Sequence, residues 1–260
     1  MKKSTALALV TGASSGIGMA YARALLEQGY DLIAVGRRQA RLQVLVDAFP
    51  QRRVEAVVAD LSTMEGIQTL STICQNEPLT LLVNNAGVSH YMGFTDLPVD
   101  KARELMSVKV LAPTLLTQAA LPGMISRGQG TVVNVAGMLA FGATASLGQA
   151  AGRATYVATL SHLVSLTLAL QEEYASSAVR FQVLCPGVVA TEFHQRQGMD
   201  LSAFPRMSAE DVVKASLNSL QLGEVICSPG VEDKQLIDNA LSAILAAFKG
   251  QSPALASRYR

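Results

Sequence analysis

The chain has 260 residues, enough for one large α/β domain with a full core, and 50% hydrophobic against 16% charged residues exclude a disordered or heavily solvated chain. Lys and Arg total 21 against 20 Asp and Glu, so the net charge of +1 gives no electrostatic footprint for nucleic acid or an anionic membrane. Three isolated cysteines, Cys74, Cys185 and Cys227, lack metal-ligand spacing and fit a reducing, cytoplasmic setting.

Along the chain, short apolar runs alternate with longer helical patterns. The apolar stretch Ala6 to Val10 after Met1-Lys2-Lys3 meets Thr11-Gly12 too soon for a signal peptide, and it reads as the first strand. Further strands are expected at Asp31 to Val35, Val54 to Ala59, Leu79 to Val83, Thr131 to Val135, Arg180 to Leu184 and Glu224 to Cys227, each apolar without strict alternation, as buried parallel strands are. Helices are expected from Gly16 to Gln28, ending at Gly29, after Pro98, and from Ala154 to Tyr174. Gly142 to Gly152 reads as a loop of small residues, and Leu236 to Phe248 is an apolar stretch broken by Asp238, Asn239 and Ser242. No uninterrupted apolar run approaches the ~18 residues of a membrane span. This order implies right-handed crossovers and one doubly wound parallel sheet over residues 1–260.

Between the first strand and helix lies Thr11-Gly12-Ala13-Ser14-Ser15-Gly16-Ile17-Gly18. Glycines there let the backbone turn tightly and let a pyrophosphate approach the N–H groups of a helix start, which marks a dinucleotide site. With Asn84-Asn85-Ala86-Gly87 after the fourth strand and Pro186-Gly187-Val188-Val189-Ala190-Thr191 after the sixth, the sequence resembles the short-chain dehydrogenase/reductase family. The resemblance spans nearly the whole chain. It implies a seven-stranded Rossmann fold, a nicotinamide cofactor, a small-molecule carbonyl substrate and a homodimer or homotetramer formed through the long helices. It also implies cofactor contacts from Gly12, Ser14, Ser15, Gly16, Ile17, Gly18, Asn85, Ala86, Gly87, Tyr156, Pro186, Gly187, Val188 and Thr191.

The second strand ends in Val35-Gly36-Arg37-Arg38. A guanidinium at that place suits the 2′-phosphate of NADP(H), where an NAD(H) ribose hydroxyl would want a carboxylate. The alternative is that Arg37 and Arg38 are a solvated start to the next helix. Asp60 and Leu61 resemble the family's adenine-contacting pair, although Asp60 alone also reads as a helix N-cap.

The catalytic pattern of the family breaks at three of four positions. Tyr156 matches its proton-exchanging tyrosine. Four residues on, where the family's lysine would stand on the same helix face, is Leu160. The serine position falls at Ala136-Gly137, and the asparagine of a Val-Asn-Val pattern is Lys109. Lys109 either restores the positive charge that Leu160 removes or points to solvent or a main-chain carbonyl. Thr144 and Ser146 offer replacement hydroxyls or are ordinary loop polarity. His90 and Tyr91, after the fourth-strand motif, sit where open sheets bind ligands, although His90 also reads as a plain loop residue. His162 and His194 show no constellation. The substrate is expected between Ser89 to Met92, Gly142 to Gly152 and Thr191 to Pro205. Two functions stay open: an NADPH-dependent carbonyl reductase using Tyr156 and Lys109, and an impaired NADP(H)-binding pseudoenzyme acting as a regulatory or assembly partner. A non-redox enzyme on the same fold is a third.

Overall fold

Seven runs become strands: β1 Leu7–Thr11, β2 Asp31–Gly36, β3 Val54–Val58, β4 Leu81–Asn84, β5 Gly130–Val135, β6 Val179–Leu184 and β7 Ile226–Cys227. All pair in parallel, in the order β3-β2-β1-β4-β5-β6-β7. The order reverses between β1 and β4, which opens the crevice in which such sheets bind ligands. The structure is a computed structural model and describes residues 6–145, 152–196, 198–201 and 203–260.

Strand limits shift from the sequence expectation for local reasons. β1 runs on to Thr11, which pairs with Val35. β4 starts at Leu81 because Leu79, after Pro78, is held in a turn by its N–H donating to the Glu77 carbonyl at 2.8 Å. β7 shrinks to two paired residues at the sheet edge, where short strands limit unwanted pairing.

Helices cover both faces: α1 Gly16–Glu27, α2 Gln39–Ala48, α3 Met64–Asn76, α4 Val99–Met106, α5 Ala112–Ser126, α6 Ala154–Glu173, α7 Glu192–Gln195 and α8 Ala209–Gln221. α1 stops as expected, with Gly29 in the left-handed region at φ 97°. Packing of α1 and α8 on one face buries Leu25, Leu26 and Val212 against Val10 and Val83. On the other, α3 and α5 bury Ile67, Leu70, Leu116 and Met124 against Leu9, Leu82 and Val132.

The helix expected after Pro98 is longer and less regular than its sequence shows. α4 and α5 are joined without a break through one widened, π-helical turn, Ser107–Leu111. Pro113 explains the widening. It has no N–H to give to the carbonyl of Lys109, four residues earlier, and its ring crowds that carbonyl. Such turns recur at functional sites, and Lys109 stands at the centre of this one. The combined helix, Val99–Ser126, is long and apolar enough to cross a membrane, but half of its apolar window is buried inside the protein.

The chain divides into two compact units. The sheet and helices α1 to α8 lie in Met1–Pro229, and Gly230–Arg260 forms the second. The second unit turns the apolar stretch noted in the sequence into α9, Gln235–Lys249, whose Asp238 pairs with Lys234 just before the helix at 2.6 Å.

Candidate active site

A cavity of about 1060 Å³ lies at the C-terminal ends of the strands, and residues following each of β1 to β6 line it. At its floor Gly12, with φ 70°, turns the chain so that Asn85 can approach: a Cβ on Gly12 would lie 2.8 Å from Asn85 Nδ2. Asn85 donates from Nδ2 to the Thr11 carbonyl at 2.8 Å, and Thr11 Oγ1 accepts from the Asn85 and Ala86 N–H groups at 2.9 Å each. The two motifs after β1 and β4 thus lock together. Ser14, Ser15, Gly16 and Ile17 face the cavity, and no side chain caps the first turn of α1. Its free N–H groups and positive helix end can accept an anion. Gly18 does not line the cavity. A Cβ there would lie 2.3 Å from the Gly12 carbonyl oxygen, so it serves the close packing of helix on turn.

The two arginines after β2 behave differently. Arg37 is more than half exposed and lies 3.9 Å from both Asp60 and Glu104, a loose pairing. Arg38 is drawn in, with Nη2 donating to the Ser14 carbonyl at 3.2 Å, Ser14 Oγ at 3.1 Å, Ser15 Oγ at 2.9 Å and Glu192 Oε1 at 3.1 Å. Arg41 donates to the same Glu192 oxygen at 2.8 Å, and Arg196 reaches it as well. Burial alone would raise the Glu192 carboxyl, but bonds from Arg38 and Ser15 and the charges of Arg196 and Arg38 hold it at about 2. Asp60 accepts from the Ser62 N–H at 2.9 Å. Thr63, not Asp60, caps α3. Leu61, Ala86, Gly87, Pro186, Gly187, Val188 and Thr191 all face the cavity.

At the opposite end Tyr156, from the first turn of α6, is buried with 7% of its surface exposed and lines the cavity. Burial, helped by neighbouring Tyr91, pushes its phenol well above the usual tyrosine range. Gly137 and Leu160, at the two replaced positions, sit together: a Cβ on Gly137 would meet Leu160 Cδ1 at 3.5 Å. An apolar wall therefore stands at the two positions that the sequence shows as replaced. Lys109 is 4% exposed, faces the cavity and lies against Gly87, where an added Cβ would be 2.9 Å from its Nζ. The ammonium donates to the Val135 carbonyl at 3.2 Å, and burial lowers its pKa to about 8. Of the options left open by the sequence, Lys109 thus takes the main-chain carbonyl, while its side chain lines the cavity.

Tyr91 packs on Tyr156 with ring centroids 5.5 Å apart, and Phe193 lies 6.5 Å from Tyr156. His194 lies 6.3 Å from Tyr91, so an aromatic cluster surrounds the phenol. His194 showed no constellation in the sequence, and only the return of α7 over the cavity reveals one. His90 differs from the expectation of a substrate contact. It does not line the cavity, and its Nε2 lies 3.0 Å from Glu104 Oε2. Thr144 is exposed and likewise absent from the wall. Ser146 lies outside the described residues. His162 bonds Thr114 Oγ1 at 3.2 Å, a structural contact.

The short chain dehydrogenase family model matches residues 6–201. The sequence is 30% identical over 216 residues to an uncharacterized oxidoreductase of Staphylococcus aureus (strain N315), spanning 82% of this chain and 90% of that protein. It is 34% identical over 190 residues to inactive hydroxysteroid dehydrogenase-like protein 1 of Pongo abelii, spanning 71% of this chain and 56% of that protein. The solved structure of a short-chain dehydrogenase from Sphingobium yanoikuyae in complex with NADPH is similar with a TM-score of 0.92 and 26% identity, over 98% of this chain and 100% of that one.

Proposed function

The chain belongs to the short-chain dehydrogenase family of oxidoreductases, and from that premise we propose that it is a cytoplasmic NADP(H)-dependent carbonyl reductase working without the family's serine and lysine. The observation that carries this reading is one cavity with the uncapped start of α1 at one end, arginine beside it, and a buried phenol at the other. The uncapped start of α1 would hold the pyrophosphate, Arg38 with Ser14 and Ser15 the 2′-phosphate, and Lys109 the nicotinamide ribose. An ammonium has three donors, and Val135 takes one of them. The bound cofactor supplies the hydride. Tyr156 gives its proton to the carbonyl oxygen and regains one from solvent. The aromatic and apolar residues around Tyr156 favour a carbonyl with apolar substituents.

Direction follows from the protonation of Tyr156. Carbonyl reduction needs the phenol, whereas alcohol oxidation needs the phenolate, of which an unperturbed tyrosine holds only about one part in a thousand at neutral pH. Burial lowers that fraction further. NADPH consumption with a panel of aryl and alkyl ketones is therefore expected to exceed NADP⁺ reduction by the matching alcohols at neutral pH. Equal or faster alcohol oxidation contradicts the mechanism. The same burial makes Tyr156 a weak acid, so turnover is slow.

A second reading is an NADP(H)-binding protein without turnover, which partners another protein. The apolar pair Gly137 and Leu160 favours it, as does similarity to a relative named as inactive. Replacement of Tyr156 separates the two.

A further inference from the structure

Glu192, the first residue of α7, turns its carboxylate into the arginine end of the cavity. Its Oε1 accepts from Arg38 at 3.1 Å and Arg41 at 2.8 Å, and Arg196 closes on the same oxygen. Arg196 also reaches Ser15 Oγ at 3.4 Å. Three guanidiniums thus converge on one carboxylate oxygen, and a single negative charge leaves them under-neutralised. Burial and the charges of Arg38, Arg41 and Arg37 draw the Arg196 guanidinium below its usual range against the opposing charge of Glu192. A dianion with three acceptor oxygens satisfies such a cluster better than a carboxylate does.

The geometry points to Glu192 as an internal stand-in for the cofactor's 2′-phosphate, displaced when that phosphate binds, with Arg41 and Arg196 joining Arg38 as its ligands. The inference rests on the NADP(H) reading above and adds a coupling to it. Phe193 and His194 follow Glu192 directly, and their rings lie 6.5 Å from Tyr156 and 6.3 Å from Tyr91. Release of Glu192 unlatches α7 from the glycine-rich turn and frees these rings to adjust to substrate. NADH carries no 2′-phosphate and leaves the latch closed, so Glu192 makes the phosphate a requirement for opening as well as for affinity.

Calorimetric titration of the full chain with adenosine 2′,5′-bisphosphate and adenosine 5′-monophosphate tests the exchange. Glu192→Gln removes the competing charge and is expected to bind the bisphosphate about tenfold more tightly, with the monophosphate unchanged. Arg196→Gln, on an exposed turn, is expected to bind the bisphosphate about tenfold more weakly and decides the matter if the first variant folds poorly. Unchanged or weaker bisphosphate binding by Glu192→Gln overturns the latch, as does an equal gain for both nucleotides or an unchanged Arg196→Gln. The cofactor reading fails separately, when the wild-type chain binds NADPH no better than NADH.

Discussion

Tyr156→Phe is expected to reduce NADPH-dependent carbonyl turnover by about 10²–10⁴-fold, the usual contribution of a positioned general acid. The substitution removes one hydroxyl from a buried ring and leaves the packing of Tyr91 and Phe193 in place, so the fold and NADPH affinity are expected to stay within about threefold of wild type. The variant separates the two functional readings. A reductase loses its turnover with the Tyr156 phenol, whereas a binding protein is indifferent. Tyr91 also faces the cavity beside Tyr156. Full activity in Tyr156→Phe would move the proton to Tyr91 or abolish the proposed mechanism, and Tyr91→Phe in the same assay distinguishes these outcomes.

Lys109→Met is expected to stabilise the protein while impairing it. Burial depresses the Lys109 pKa from 10.5 to about 8, which corresponds to a folding penalty of about 3 kcal/mol for carrying the charge. The sign is set by proton uptake. Below about pH 8 the ammonium is charged in folded and unfolded chains alike, and the penalty is complete. Between about 8 and 10.5 the unfolded chain binds more protons than the folded one, so wild-type stability rises with pH across that window. Methionine keeps a similar length and removes the charge. Its gain in stability at neutral pH is expected to be ~1–3 kcal/mol, less than the full penalty because the bond to Val135 is lost as well, and to shrink as pH passes 8. Denaturant unfolding at several pH values measures it. In activity the expectation reverses: wild-type turnover falls as Lys109 loses its proton near pH 8, and Lys109→Met lacks that limb and binds NADPH about tenfold more weakly. A destabilised variant with the wild-type pH profile would make Lys109 a structural residue only.

The sheet was legible because each strand is a short apolar-rich run bounded by turn residues, and its central strands are buried. The tight turn after β1 was legible because Gly12 and Gly16 adopt backbone conformations that favour glycine. Which of Arg37 and Arg38 turns inward was not, since that depends on where Ser14 and Ser15 lie after the first turn. Neighbouring side chains diverge, so Tyr91 faces the cavity while His90 turns to Glu104. The placement of Lys109 depends on the widened turn, and Pro113, four residues on, was the one local sign of it. Glu192 was the hardest to foresee, because it meets Arg38 across 154 positions of sequence.

Calorimetric titration of the wild-type chain with NADPH and NADH tests the reductase reading most directly. Charge-assisted bonds from Arg38 and its neighbours to the 2′-phosphate lead to an expected preference for NADPH of about 10- to 100-fold. Binding of neither nucleotide, or NADH held as tightly as NADPH, would contradict it and leave the cavity as an inheritance of the fold.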